Sequence, residues 1–123
     1  HILLAEDNEL NMEIAEFMFQ NEDAEVTKAW NGLEAVEIFE KSSPGEFDVI
    51  LMDIMMPVMN GYNATKRIRS MNREDAKTIP IIAMTANAFT EDRLKAKEAG
   101  MDEHISKPVD GNLLVKVIHE LLN

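Results

Sequence analysis

The sequence predicts a single α/β domain in which a parallel sheet is covered by helices on both faces. Short apolar segments alternate with segments whose apolar residues recur at helical spacing, and this alternation repeats five times. Such alternation is typical of parallel sheets, because each parallel strand needs a crossover connection that is usually a helix. The length of 123 residues fits one domain, so we expect residues 1–123 to form one unit.

The first three predicted elements are a strand, a helix and a weaker strand. Residues 2–5 are all apolar and form the first strand. The helix that follows Asn8 has apolar residues at helical spacing, namely Leu10, Ile14, Phe17 and Met18. The second strand is expected near residues 25–29.

The second helix and the third strand have clearer boundaries. Asn31 and Glu34 form a capping-box pattern, which predicts a helix running to about Lys41. Residues 47–52 are almost entirely apolar and end at Asp53. A run of this kind is too short for a helix and indicates a central strand buried on both faces.

The C-terminal half is predicted to contain two strands and three helices. A turn at residues 57–61 opens a basic helix that ends near Asn72. The other elements are, in chain order, a strand at 79–84, a helix at 91–99 closed by Gly100, a strand at 103–106 and a final helix capped by Asp110. The final helix has one apolar stripe, formed by Leu113, Leu114, Val117, Ile118, Leu121 and Leu122.

The chain is acidic, and its charge is unevenly distributed. The formal net charge is −11, yet residues 1–60 contain 14 acidic and two basic residues, a balance of −12. Such a surface repels nucleic acid phosphates and anionic membranes, so we expect no direct binding to either. The charge favours a basic partner.

Cysteine content and hydropathy bear on location. The sequence has no cysteine, which is typical of a reducing compartment, and its longest apolar run, residues 49–52, is far shorter than the roughly 20 residues of a membrane span. We therefore expect a cytoplasmic location. The chain begins at His1 and not at Met, which indicates a segment of a longer protein.

Charged and polar side chains follow the predicted strands at their carboxyl ends. They are Glu6, Asp7, Asp53, Thr85 and Lys107. Glu6, Asp7 or Thr85 alone is most often a turn or cap residue, and Lys107 alone a solvated surface amine. Asp53 is harder to explain in this way because it directly follows an almost entirely apolar run, and ligands of open α/β sheets bind at this edge. Two carboxylates about 4 Å apart repel by about 4 kcal/mol at an effective dielectric near 20, so a divalent cation such as Mg²⁺ is the natural neutraliser.

Four segments together resemble the receiver domain of two-component response regulators. They are residues 2–8 (ILLAEDN), 48–61 (DVILMDIMMPVMNG), 84–88 (MTANA) and 100–108 (GMDEHISKP). The resemblance covers the whole chain in the correct order. It implies a flavodoxin-like, doubly wound sheet of five parallel strands in the order 2-1-3-4-5, built as (βα)5.

The resemblance also implies the chemistry of the site. Asp53 would accept a phosphoryl group from a phosphohistidine, so the domain would catalyse its own phosphorylation and dephosphorylation. Mg²⁺, for which Mn²⁺ could substitute, would be bound by Asp7, by Asp53 and by the backbone carbonyl of Met55, with Glu6 acting through a coordinated water. Lys107 would pair with Asp53 at rest and with the phosphoryl group afterwards.

Further residues have implied roles in switching and in phosphate lifetime. Thr85 would hydrogen-bond the phosphoryl group while His104 turns inward behind it, and Pro108 would follow a cis peptide bond. For His104 an ordinary half-exposed strand side chain is an equal alternative. Met55 and Asn87 occupy positions that tune phosphate lifetime, and because Met55 cannot orient a hydrolytic water, we expect slow self-dephosphorylation.

The first helix is predicted to contact the phosphodonor. Turning the helix at about 100° per residue separates Met12, Ala15 and Phe19 from the first apolar stripe, and we expect this second stripe to face solvent. Scattered surface hydrophobes are the plainer interpretation. The more specific interpretation is that this stripe forms a docking face for a histidine kinase or histidine phosphotransfer domain.

The sequence also allows two other functions. A metal-dependent aspartyl-phosphate phosphatase is disfavoured because the haloacid-dehalogenase-like pattern has a second Asp where this chain has Met55. The second alternative function is that of a receiver-like binding module that is never phosphorylated. The motifs most resemble receivers of hybrid sensor histidine kinases, which implies the cytoplasmic portion of a membrane-anchored kinase and allows a dimer through the fourth and fifth helices.

Overall fold

The computed structural model describes residues 1–20, 24–85, 90–106 and 111–122, with only the backbone of residues 90–92. The strands are β1 (Ile2–Ala5), β2 (Val26–Ala29), β3 (Val49–Asp53), β4 (Ile81–Thr85) and β5 (Glu103–Ser106). The helices are α1 (Glu9–Gln20), α2 (Gly32–Lys41), α3 (Gly61–Arg69), α4 (Glu74–Thr78), α5 (Thr90–Ala99) and α6 (Gly111–Leu122). The predicted order of elements is confirmed, with α4 as an addition.

All five strands are parallel and lie in the order β2-β1-β3-β4-β5. The strand β3 is central, as its apolar run predicted, and every one of its residues is buried. In register, Ala5 lies opposite Met52 and Asp53 lies opposite Met84. The carboxyl ends of β1, β3 and β4 therefore meet at one edge of the sheet.

The core forms two layers, one on each face of the sheet. Alternate strand residues point to opposite faces, so Leu3 and Ala5 belong to one layer and Ile2 and Leu4 to the other. The first layer is covered by α2, α3, α4 and α5, and the second by α1 and α6. No helix formed by the described residues is long and apolar enough to cross a membrane.

The predicted orientation of α1 is wrong. Met12, Ala15 and Phe19, expected to face solvent, are 1%, 5% and 2% exposed and pack in the layer that contains Leu4 and Leu51. Leu10, Ile14 and Phe17, expected to be buried, are 64%, 45% and 65% exposed. Both stripes are apolar, so helical periodicity identifies two faces without showing which of them meets the sheet.

The stripe of α6 is confirmed only in part. Leu114 is fully buried, and Val117, Ile118 and Leu121 pack against the core. In contrast, Leu113 and Leu122 are about half exposed. Asp110, the predicted cap of this helix, lies outside the described residues.

Asn31 caps α2 as predicted. Its side-chain oxygen accepts a hydrogen bond from the Glu34 backbone N–H at 2.8 Å. The Glu34 carboxylate in turn accepts from the backbone N–H of Trp30 at 3.4 Å. The capping pattern in the sequence therefore marks the start of this helix correctly.

The short helix α4 was not predicted, and α3 ends at Arg69 rather than near Asn72. Arg73, just before α4, donates to Asp75 at 2.6 and 2.7 Å and to the carbonyls of Phe39 and Ser42 at 2.8 and 3.1 Å. Its guanidinium also lies 4.5 Å from the centre of the Phe39 ring. This hydrogen bonding lowers the pKa of Asp75 and raises the pKa of Arg73.

A second arginine joins three segments near the start of β5. Arg69 donates to the carbonyls of Gly100 and Ala76 at 3.0 and 3.1 Å and to the Asp102 carboxylate at 2.9 Å. The same carboxylate accepts from the backbone N–H of Ile81 at 2.8 Å. Partial burial of the guanidinium lowers the Arg69 pKa, against the opposing effect of Asp102.

Candidate metal and phosphoryl site

Three acidic side chains converge at the carboxyl edge of the sheet. Glu6 follows β1 and Asp53 ends β3, and both are buried, whereas the neighbouring Asp7 is exposed. Each offers a carboxylate oxygen, and these oxygens lie within 4.8 Å of one another. At that separation two unit charges still repel by about 3.5 kcal/mol at an effective dielectric of 20. A cation bound between these oxygens would relieve this repulsion.

The donor set fits a hard divalent cation. Carboxylate oxygens are the ligands that Mg²⁺ prefers, and one or two carboxylates with phosphate and water oxygens complete its usual shell. One acid is exposed and two are buried, so the cluster opens to solvent on the side of Asp7. The three acids that the sequence predicted as a site are thus brought together.

Backbone contacts hold Glu6 in place. Its N–H donates to the carbonyl of Ala29 at 3.0 Å, which continues the pairing between β1 and β2. Its carboxylate accepts from the N–H of Asn8 at 3.2 Å. The Asn8 side chain accepts from the N–H of Asn11 at 3.0 Å and so caps α1. One residue therefore links the start of the helix to the acid pair.

The loop between β3 and α3 is tightly held by two glycines. A Cβ atom added to Gly61 would lie 2.3 Å from the carbonyl oxygen of Asp53, and one added to Gly32 would lie 2.2 Å from that of Met59. Gly32 N–H also donates to this Met59 carbonyl at 3.1 Å. Side chains at either glycine would displace the loop that follows Asp53, a requirement that the spacing of the motif did not reveal.

The same loop contains a strained residue. Val58 has a φ of +68°, a conformation that β-branched residues rarely adopt. The Met59 N–H donates to the Pro57 carbonyl at 2.7 Å, which closes a three-residue turn with Val58 at its apex. Such a residue costs about 1–3 kcal/mol and persists only where its surroundings hold it.

The other predicted site residues are placed to different extents. Thr85 ends β4, is buried and lies opposite Ser106, the last residue of β5. His104 is half-buried on β5 beside a cavity of about 380 Å³, as both interpretations of this residue allow. Met55 is exposed. Lys107, Pro108 and Asn87 lie outside the described residues.

The exposed face of α1 borders an open groove. Leu10, Ile14 and Phe17 line it together with Glu13, and the start of α6 at Gly111 forms its other side. The groove has a volume of about 470 Å³. An apolar surface with an adjoining acid lies at this position, on the face of α1 opposite to the one predicted.

The fold and the site together define a class of protein. They describe a doubly wound α/β domain with a cluster of three acidic side chains at the carboxyl edge of the sheet. Residues 2–119 match the family described as response regulator receiver domain. The chain belongs to this family and is a receiver domain of two-component phosphorelay signalling.

Solved structures of receiver domains agree with this assignment. The receiver domain of sensor histidine kinase PA1611 from Pseudomonas aeruginosa PAO1 is 37% identical, with a TM-score of 0.88 over 98% of this chain and 95% of that one. That structure has a magnesium ion coordinated in its active-site cleft. The Saccharomyces cerevisiae receiver domain of Ssk1, solved with the histidine phosphotransfer protein Ypd1, is 30% identical, with a TM-score of 0.85 over 98% and 86%.

The curated relatives are much longer histidine kinases. Hybrid signal transduction histidine kinase I of Dictyostelium discoideum is 36% identical over an alignment of 120 positions, which covers 96% of this chain and 7% of that protein. Histidine kinase 1 of Arabidopsis thaliana is 35% identical over an alignment of 150 positions, gaps included, which covers 98% of this chain and 12% of the relative. The chain thus corresponds to a small part of each relative.

Proposed function

We propose that Asp53 accepts a phosphoryl group from a phosphohistidine donor in a reaction that depends on Mg²⁺. The observation that supports this most directly is the cluster of carboxylate oxygens within 4.8 Å around a buried Asp53 at the end of the central strand. Burying an acid beside two others is costly unless opposite charge or hydrogen bonds compensate it, and such clustered acids are typical of sites that bind cations or react. The magnesium ion in the related Pseudomonas receiver is consistent with this use.

The metal would be held by oxygen ligands of this chain. Asp7, Asp53 and the backbone carbonyl of Met55 would bind it directly, and Glu6 would act through a coordinated water. When bound, Mg²⁺ neutralises the clustered carboxylates and the charge of the phosphoryl group in transfer. We propose that Mn²⁺ can replace it.

Asp53 would act as the nucleophile. One of its carboxylate oxygens attacks phosphorus in line, the P–N bond to the donor imidazole breaks, and an acyl phosphate forms on Asp53. Lys107 would then pair with a phosphoryl oxygen. The Thr85 hydroxyl would hydrogen-bond another, and His104 would turn inward, shifting the domain towards its active conformation.

Incubation with acetyl phosphate and Mg²⁺, followed by intact mass measurement, tests this function. We expect one added phosphoryl group per chain in the parent and none in the Asp53→Asn variant. Continuous release of inorganic phosphate over many turnovers would instead identify a phosphatase. An unmodified parent would identify a binding module and refute the proposal.

We further propose that the histidine-containing donor docks on the exposed face of α1. The surface formed by Leu10, Ile14 and Phe17 is apolar, and Glu13 beside it would meet basic residues around the donor histidine. The related yeast receiver, solved with a histidine phosphotransfer protein, makes a donor of this class reasonable.

A charge placed on this face should affect phosphoryl transfer from a protein donor and from a small-molecule donor differently. Phe17→Glu is expected to slow transfer from a protein donor but not from acetyl phosphate. Leu122→Glu is the matched control, because Leu122 is also about half exposed but ends α6 away from the groove. Equal slowing with both donors, or in both variants, would contradict docking at this face.

The remaining proposals concern lifetime and context. Met55 offers no group that orients a hydrolytic water, so the acyl phosphate should be long-lived, with Asn87 as the other tuning residue. The chain would work as part of a cytoplasmic portion of a longer histidine kinase. Any dimer would form through α5 and α6, which are the fourth and fifth of the predicted helices because α4 was not predicted. Nucleic acid and membranes would not be direct partners.

A further inference from the structure

We propose that Met55 is the primary site at which hydroperoxides oxidise this domain, and that its sulfoxide shortens the lifetime of the phosphoryl group on Asp53. The second half of this inference rests on the proposed function. The first half depends only on the accessibility of the methionine sulfur atoms.

Met55 is set apart from the other methionines by its exposure. All nine methionines lie among the described residues. Met55 is 76% exposed, whereas five others are at most 9% exposed, namely Met12, Met52, Met56, Met84 and Met101. The remaining three, Met18, Met59 and Met71, are partly covered. Direct reaction of a thioether with a peroxide requires access to sulfur, so Met55 should react first.

The fold would tolerate this modification. Met55 belongs to neither layer of the core, in contrast to Met52 and Met56 on either side of it. Conversion of a buried methionine to its polar sulfoxide disrupts packing. At Met55 the added oxygen stays in solvent, so oxidation changes the rim of the site without unfolding the domain.

The chemistry balances with a hydroperoxide as the oxidant. The sulfur lone pair attacks the terminal peroxide oxygen, an S–O bond forms and the O–O bond breaks. Sulfur loses two electrons, and the proton of the attacked oxygen passes to the leaving oxygen, which gives water or an alcohol. The sulfoxide can be returned to the thioether by methionine sulfoxide reductases.

The position of Met55 connects this reaction to phosphate lifetime. Met55 lies two residues beyond Asp53, so at most about 7 Å of backbone separates them, and a methionine side chain is long enough to reach over a group carried by Asp53. A thioether is a weak hydrogen-bond acceptor, but a sulfoxide oxygen is a strong one. The oxidised side chain can therefore orient a water for attack on phosphorus, as an asparagine amide would.

Peptide mapping tests the oxidation site. The protein is treated with limiting hydrogen peroxide, digested and analysed by mass spectrometry over time. We expect Met55 sulfoxide to accumulate several-fold faster than sulfoxide at Met18, Met59 or Met71, with an unchanged circular dichroism spectrum. Similar rates at these four positions, or loss of structure at one oxygen per chain, would overturn the assignment.

Phosphoryl loss tests the consequence. The oxidised and untreated parent are phosphorylated with acetyl phosphate, freed of the donor and followed by intact mass. We expect several-fold faster loss after oxidation, reversal by reductase treatment, and the same faster loss in untreated Met55→Asn. Met55→Leu is the matched control, because it keeps the size of the side chain without sulfur and should not respond to peroxide.

The outcomes separate the two proposals. Equal phosphoryl loss before and after oxidation, or an equal peroxide response in Met55→Leu, overturns the link to lifetime while the proposed function stands. A parent that oxidises first at Met55 but accepts no phosphoryl group refutes the proposed function and the link to lifetime together. It leaves the oxidation site supported.

Discussion

Gly61→Ala is expected to impair phosphorylation more than stability alone would explain. The new Cβ would lie 2.3 Å from the Asp53 carbonyl oxygen, whereas ordinary contact begins at 3.4 Å. The start of α3 and the end of β3 must therefore separate by about 1 Å. Displacement of a reacting group by about 1 Å can slow a reaction about 100-fold, and overpacking costs about 1–3 kcal/mol.

Gly32→Ala is the matched control for this effect. Its Cβ would lie 2.2 Å from the Met59 carbonyl oxygen, so the clash is as severe but does not involve Asp53 itself. Both variants should lose comparable stability, and each kcal/mol lowers the midpoint of thermal unfolding by about 3–5 °C in a domain of this size. Only Gly61→Ala should also lose most of its phosphorylation rate.

The assay combines intact mass against time in acetyl phosphate and Mg²⁺ with thermal unfolding of the same samples. Calorimetric titration with Mg²⁺ reports whether the acid cluster is still assembled. A Gly61→Ala protein that is phosphorylated at the parental rate would refute the argument from close approach. Equal slowing in the two variants would show that loosening of the loop, and not displacement of Asp53, determines the rate.

Three further predictions concern stability. Thr65 is fully buried, and its hydroxyl has no hydrogen-bond partner among the described residues. Thr65→Val should therefore raise the free energy of unfolding by about 1 kcal/mol, as measured by urea titration. A lower free energy of unfolding in the variant would show that the hydroxyl has a partner. Arg69→Met removes hydrogen bonds to the carbonyls of Gly100 and Ala76 and to the partly exposed Asp102 carboxylate, and at about 1 kcal/mol each this loss should cost about 3 kcal/mol by the same titration. An unchanged free energy of unfolding would contradict this. Hydrogen bonding from Arg73 lowers the pKa of Asp75 in the folded protein. The stability that Asp75 contributes is therefore fully present above its pKa in the unfolded chain, which is near 4, and is lost as the pH falls through its lower pKa in the folded protein. Asp75→Asn should therefore destabilise the protein at pH 7, and its free energy of unfolding should fall less steeply in acid than that of the parent. If the free energies of unfolding of parent and variant change in parallel with pH, this role of Asp75 is excluded.

The order of elements was predictable because its signals are local. The buried run before Asp53 and the capping pair Asn31 and Glu34 are each read within a few residues, and both match the structure. The helix α4 has no comparable signal, because it has only five residues. The contacts that surround it run from Arg73 to Phe39 and Ser42, more than 30 residues away in sequence.

The site was predictable for a different reason than the docking face. Parallel strands end at the same edge, so an acid after β1 and an acid after β3 must approach each other whatever the details of packing. The face of α1 depends on how the helix rotates against the sheet. Phe17 and Phe19 are equally apolar, and their environments differ only because of tertiary packing. The need for glycine at position 61 also appears only when the backbones are placed.

Because of the strand order, the uneven charge along the chain becomes an uneven charge across the sheet. Residues 1–60 supply β2, β1 and β3, while β4 and β5 come from the half with a balance near zero, so the negative charge is concentrated towards one side of the sheet. A molecule with such an electric dipole moment rotates in the field of a basic partner before the two surfaces touch. We therefore expect orientation during diffusion to raise the association rate and to weaken as salt shortens the Debye length.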